Sequence, residues 1–170
     1  MSNETHLEIL KKGAEKWNEW REENPGVIPD FSWANMPEME LSGYNLEDAN
    51  LKLAFCKGCN FAGSNFKNSY LYGANLESTD CSGCDFSGSN LEGALIKDAN
   101  LKDTNLSNCN FRLANLEGSD FGGADFSGSK KLKADQLSRV SNILGAKIAQ
   151  RLKEKLSETS PHLLTKSLKL

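Results

Sequence analysis

A chain of 170 residues and 18.7 kDa holds one ordinary domain and is too short for two comfortable ones. Its formal charge is 20 − 23 = −3, and 25% of its residues are charged. The mean hydropathy is −0.52, and no apolar run is long enough to cross a bilayer as a helix, which excludes an integral helical membrane protein.

The chain starts with polar residues, Met1 to His6, and no apolar stretch follows. No secretory signal is therefore expected, and the cytoplasm is the expected compartment. In that setting five cysteines read as free thiols rather than a disulfide framework. Thr5-His6-Leu7-Glu8 has capping-box spacing, and Leu7, Leu10, Ala14 and Trp17 follow at helical intervals. Asn24-Pro25-Gly26 then stops the helix. The spacing predicts one amphipathic helix over 5–23, inside an N-terminal cap of residues 1–29. Trp17 and Trp20 are expected to pack on whatever comes next.

What comes next is a repeat. From Phe31 to Phe126 every fifth residue is large and apolar, interrupted only by Cys56 and Cys81, so twenty units follow one another without insertion. Two places before each large residue stands a small one, as in Ala49, Ser64, Cys84 and Ala124. Asn or Asp dominates between the two, and Gly is frequent two places after the large residue. A period of five fits neither a helix nor a strand. The chain must turn once per unit and return one large and one small side chain to a shared axis. Asn, Asp and Gly tolerate such turns.

The pattern over residues 30–129 resembles the pentapeptide-repeat family, with its motif Ala-(Asp/Asn)-Leu-x-x. The resemblance implies an all-β solenoid, a right-handed quadrilateral β-helix of about five coils. Charge gives an independent check on the four sides. Just after the large residues, pairs 20 apart are all opposite: Glu47/Lys67, Lys57/Glu77, Glu77/Lys97, Glu92/Arg112 and Lys97/Glu117. At 15 apart, three pairs are like and one is opposite. Stacked opposite charges are favourable and like charges are not, so four units per coil are preferred. Five coils at the spacing of stacked strands make a rod about 24 Å tall.

Composition shifts after Ser129. Residues 131–170 carry nine basic and three acidic groups, against seven basic and fourteen acidic over 30–130. Leu137, Val140, Leu144, Ile148 and Leu152 keep helical spacing, which predicts a helix over 134–156 within a basic C-terminal cap or tail of residues 130–170. An acidic rod and a basic tail suggest that the tail folds back along the rod, with a membrane-surface helix as the alternative.

Motifs that could carry catalytic chemistry are few. Cys56-Lys57-Gly58-Cys59 and Cys81-Ser82-Gly83-Cys84 resemble a zinc ribbon. The repeat accounts for them without metal, since Cys56 and Cys81 hold large inward positions and Cys59, Cys84 and Cys109 small ones. The two pairs lie one coil plus one side apart and cannot converge tetrahedrally. Asp120-Phe121-Gly122 copies a kinase tripeptide, but no phosphate loop accompanies it. His6 and His162 lie in the terminal segments, so nucleophile–base machinery is missing. The expectation is a non-enzyme with no cofactor and no metal.

Two functions remain. One is a rigid protein-interaction scaffold, with a protein partner or a homodimer. The other, implied by the family resemblance, is an acidic rod that mimics DNA and binds DNA gyrase. Direct nucleic-acid binding, membrane contact and a small-molecule substrate are not expected. The candidate interaction surface is where outward positions turn apolar. Leu53 and Leu113 share one column, with Gly73 and Gly93 between them as a shallow notch. Phe55 and Leu95 share the column around the next corner, and Tyr70 and Tyr72 belong to the side of Leu53. Such a patch marks an interface or is covered by the protein's own C-terminal helix.

Overall fold

The protein is described by a computed structural model covering residues 3–165. Its rod is held by isolated parallel bridges between residues 20 apart, from Asp30↔Asn50 through Asn110↔Lys130. Four five-residue units therefore carry the chain once around. We number the sides by their inward large residues: face 1 (Phe31, Leu51, Leu71, Leu91, Phe111), face 2 (Met36 to Leu116), face 3 (Leu41 to Phe121) and face 4 (Leu46 to Phe126).

Each unit is wired to its neighbours above and below by the same three backbone bonds. Around Phe61 these are Phe61 N–H to Asp80 O at 2.7 Å, Gly63 N–H to Ser82 O at 2.9 Å, and Asp80 N–H to Cys59 O at 3.0 Å. The Asn or Asp before the large residue closes the turn, its side chain accepting the N–H two residues on, as Asn50 does from Lys52 at 3.1 Å. The residue two places after the large one has positive φ in all twenty units. That left-handed conformation is what the frequent glycine supplies.

All twenty large positions are at most 2% exposed. Each buried Leu or Phe contributes about 1.5–3 kcal/mol. Phe66 and Phe86 stack across one coil spacing at 4.5 Å with 6° between planes. Polar residues in the small column are satisfied in a regular way: Ser64, Ser69 and Ser89 donate to the carbonyl 23 residues earlier at 2.6–2.7 Å. Cys59, Cys84 and Cys109 make the same bond at 2.8–2.9 Å, which is how a thiol takes a serine's place.

The N-terminal cap is two helices, α1 (Glu4–Leu10) and α2 (Ala14–Glu23), not the single helix expected over 5–23. Gly13, at φ 101°, breaks it. The cap residue of α1 is Asn3, whose side chain accepts from Thr5 and His6, rather than Thr5 itself. The break lets each helix serve a different face of the first coil. On face 1, Asn3 N–H donates to Asp30 O at 2.9 Å and Asp30 N–H to His6 Nδ1 at 3.0 Å. On face 4, α2 replaces a missing strand. Asn18 accepts from Asn45 N–H and donates to Gly43 O, Trp17 Nε1 donates to Asn45 O, and Arg21 donates to Glu47 O.

The C-terminal segment also departs from expectation. A helix over 134–156 is replaced by α3 (Ala134–Leu137), a return to the repeat, and α4 (Gln150–Thr159). Asn142 bridges Asp120 and Lys147 bridges Asp125, a spacing of 22 rather than 20. Ile143 and Ile148 fill large positions, Asn142 makes the turn bond to Leu144 N–H, and Gly145 sits at φ 78°. The two-residue offset introduced by α3 hides these two units from a count by fives. Leu144, placed on the helix's apolar stripe by spacing alone, is only half-buried. The tail caps the end of the rod instead of lying along it, with Lys147 paired to Asp125 at 3.0 Å. Its last residues, 166–170, lie outside the described residues.

Candidate functional site

The repeat sets two local rules, and their exceptions gather in one place. Of the twenty left-handed turn positions, ten are Gly and six are Asp, Asn or Ser; the other four are Trp33, Glu38, Leu53 and Leu113. Trp33, Leu53 and Leu113 stand in one column of face 1, at φ 62°, 56° and 58°. A bulky residue in that conformation costs about 1–2 kcal/mol. Of the twenty positions before the large residue, sixteen are Asn or Asp; the others are Glu40, Phe55, Tyr70 and Leu95. Each of these four forgoes the Asn or Asp turn bond, worth about 1 kcal/mol. Six of the eight departures are apolar, and all six lie on faces 1 and 2.

They lie on an open surface. Leu113 is 73% exposed, Trp33 63%, Leu95 44%, Phe55 and Tyr70 40%, and Tyr72 39%. The described part of the tail does not cover them, since they keep these exposures in its presence. The Tyr70 and Tyr72 rings are near-parallel, 6.2 Å apart. Trp33 escaped the sequence reading, although it lies 20 residues before Leu53. Carrying the same column one coil further down would have found it.

The expected notch is half filled. Leu53 leans over Gly73, so close that a Cβ there would meet Leu53 Cδ2 at 2.7 Å. Gly93 stays open, and a Cβ there would find only Gly73 N at 4.0 Å. The concavity lies between Leu53 and Leu113, over Gly93.

Surface charges follow the expected 20-residue pairing in part. Lys57–Glu77 (2.8 Å), Glu92–Arg112 (2.6 Å) and Lys97–Glu117 (4.0 Å) are paired. Glu47 instead accepts from Asn65, and Lys102 reaches Asp120 at 3.2 Å. The five cysteines are buried and unbridged. Burial pushes the Cys109 thiol up to about 12, and Cys81 is raised well above its usual value by its hydrogen bond to Cys84 and by burial. Among the described residues no three His, Cys, Asp or Glu side chains gather as a metal site, and no helix is long and apolar enough to cross a membrane.

A parallel solenoid of five-residue units defines a class, the solenoid repeat proteins. The repeat matches the pentapeptide-repeat family, whose model covers residues 54–93 and 94–130 in 8 copies. Among solved structures it is similar to HetL, a pentapeptide repeat protein involved in heterocyst differentiation regulation from the cyanobacterium Nostoc sp. strain PCC 7120. That likeness has 23% identity and a TM-score of 0.61, and covers 72% of this chain and 59% of HetL. The chain thus spans about three fifths of HetL. A pentapeptide repeat protein from the Arabidopsis thaliana thylakoid lumen is 20% identical over 73% of this chain and 74% of its own, with a TM-score of 0.43. QnrB1, a plasmid-mediated fluoroquinolone resistance protein, is 21% identical over 72% of this chain and 71% of its own, with a TM-score of 0.30. No curated protein sequence matches the chain.

Proposed function

We propose that this protein is a non-catalytic interaction rod, a right-handed quadrilateral β-helix of five regular coils, working in a reducing cytoplasm. Its binding surface for a protein partner runs along the corner of faces 1 and 2. The division into an N-terminal cap (1–29), a rod (30–129) and a basic C-terminal segment (130–170) belongs to the same reading. One observation carries it: six apolar residues break the repeat's own turn rules, at a cost to stability, and all six lie on faces 1 and 2. Strain that the fold does not need points to a use outside the fold. The gyrase-binding alternative asks for dense negative charge, about one per 1.7 Å of duplex. Faces 3 and 4 carry eight acids and two bases, a net −6 along a rod of about 24 Å, less than half that density.

The test is to restore the repeat's rules where they are broken. Trp33→Gly, Leu113→Gly, Tyr70→Asn and Leu95→Asn, combined, are expected to melt at or above the wild-type temperature. The same variant is expected to lose the proteins that cross-link to wild type in cell extract, or the wild type's concentration-dependent self-association in sedimentation. A variant destabilised by more than about 2 kcal/mol would show that these residues serve the fold. Unchanged cross-linking and self-association would equally end the reading.

A further inference from the structure

Where the rod meets its C-terminal cap, the cations change behaviour. Of the six Lys and Arg on the regular coils, Lys57, Lys97, Lys102 and Arg112 each have a carboxylate within 4.0 Å. Lys131, Lys133, Arg151 and Lys155 have none among the described residues, yet all four line one groove together with Arg112. The groove, about 740 Å³, lies between the top of face 1 and α4. Its apolar lining is Leu132, Ala134 and Leu152, all buried, with Leu113 standing 73% exposed at its edge. Among the described residues Asp135 is the only carboxylate that lines it.

Gathering like charges around one concave surface raises the local potential, and an anionic occupant relieves it. The leucines narrow the choice. Phosphate or a nucleic-acid backbone would neutralise the rim and leave the exposed Leu113 uncovered. A flat bilayer would meet Leu113 but not Leu132 and Leu152, which are 4% and 8% exposed. We propose that this groove binds an acidic amphipathic segment of a partner protein, its carboxylates on the cationic rim and its Leu or Phe side chains against the leucines. A helix bearing apolar residues at i, i+3 and i+4 supplies that arrangement. The site shares only Leu113 with the corner of faces 1 and 2, and it rests on unpaired charge rather than on turn strain.

The full chain is titrated with a fluorescent peptide of about four helical turns, built from Glu with Leu at i, i+3 and i+4. Parallel titrations use the same peptide with Lys for Glu, phosphatidylglycerol vesicles, and single-stranded DNA. Binding is expected for the acidic peptide alone, weakening about tenfold or more from low to high salt. Lys131→Gln, Lys133→Gln, Arg151→Gln and Lys155→Gln together are expected to weaken it at least about tenfold at unchanged melting temperature. Leu53→Gly, on the corner surface, is expected to leave it unchanged, so failure here and failure of the corner reading are distinguishable. Equal binding of the Lys peptide, binding of vesicles or DNA but not the acidic peptide, or an unaffected Gln variant would overturn the proposal.

Discussion

Faces 1 and 3 lie on opposite sides of the rod and share one backbone. Their left-handed turn columns differ: Trp33, Leu53, Gly73, Gly93 and Leu113 on one, and Gly43, Gly63, Gly83, Asp103 and Gly123 on the other. Face 3 puts small residues where the backbone prefers them, and its outward carboxylates Asp80 and Asp120 accept from Asn100 and Asn142. Face 1 places bulky side chains in the same conformation and leaves Trp33 and Leu113 in solvent. Inside the rod the two faces are alike, each a column of Leu, Phe and small residues at most 2% exposed. The coil therefore separates two tasks. The inward residues make the fold, and the outward ones are free to differ at a cost of about 1–2 kcal/mol apiece.

The largest expected effect comes from breaking the interior, where the sides should not differ. Leu91→Asp beneath face 1 and Leu101→Asp beneath face 3 each bury an unpaired carboxylate, at a cost of about 5 kcal/mol, comparable with the whole stability of a domain. Both are expected to abolish the cooperative melting transition followed by circular dichroism. Retention of wild-type melting by either would show that the inward assignment fails on that side.

A smaller effect separates the large column from the small one. Cys81, beneath face 3, holds a large position; Cys84, the next inward residue, holds a small one and donates to Phe61 O at 2.9 Å. Cys84→Ser keeps that bond, as Ser64 and Ser89 do, and is expected to cost no more than about 0.5 kcal/mol. Cys81→Ser puts a smaller hydroxyl in a large inward position, where Thr79 Oγ1 lies 3.4 Å from the native sulfur, and should cost about 1–3 kcal/mol. Urea denaturation of the two variants checks the order, and equal costs would contradict the two-column description.

The smallest effect distinguishes the two attachments of the N-terminal cap. Face 1 holds α1 through His6, whose Nδ1 accepts the Asp30 N–H. Burial, with the Arg21 charge adding to it and Asp30 opposing, holds the imidazole below its usual 6.5. A group depressed in the folded state is protonated more readily on unfolding, so this contact's contribution is present above about 6.5 and falls as pH drops. Face 4 is held by Trp17, Asn18 and Arg21, whose charge does not change in that range. Amide protection, relative to the intrinsic exchange rate at each pH, is therefore expected to fall in α1 before α2 between pH 7.5 and 5.5. His6→Gln should remove that difference, and simultaneous loosening of both helices would contradict the assignment.

Period five, from Phe31 to Phe126, was legible because each unit repeats a complete local instruction: an Asn or Asp that closes a turn, a residue that accepts positive φ, and one large and one small side chain directed inward. Four sides per coil could be read from charge alone, through pairs such as Lys57/Glu77 and Glu92/Arg112. The apolar corner was legible for the same reason, since Leu53 and Leu113, or Phe55 and Leu95, fall into register modulo 20. Tertiary structure decided what local instructions leave open. Gly13 splits a helix that Leu7, Leu10 and Trp17 would have continued, because two short helices reach two faces of the rod's end where one straight helix reaches a single face. Residues 141–148 have a stripe compatible with a helix, yet they pair with Asp120 and Asp125, because the open end of a parallel solenoid offers unpaired N–H and C=O groups that a lone helix would leave unmet. The groove beneath Lys131, Lys133, Arg151 and Lys155 has no counterpart in the sequence pattern. It exists only because α4 returns beside Leu113, and charges up to 42 residues from it share one cavity only once the chain has folded.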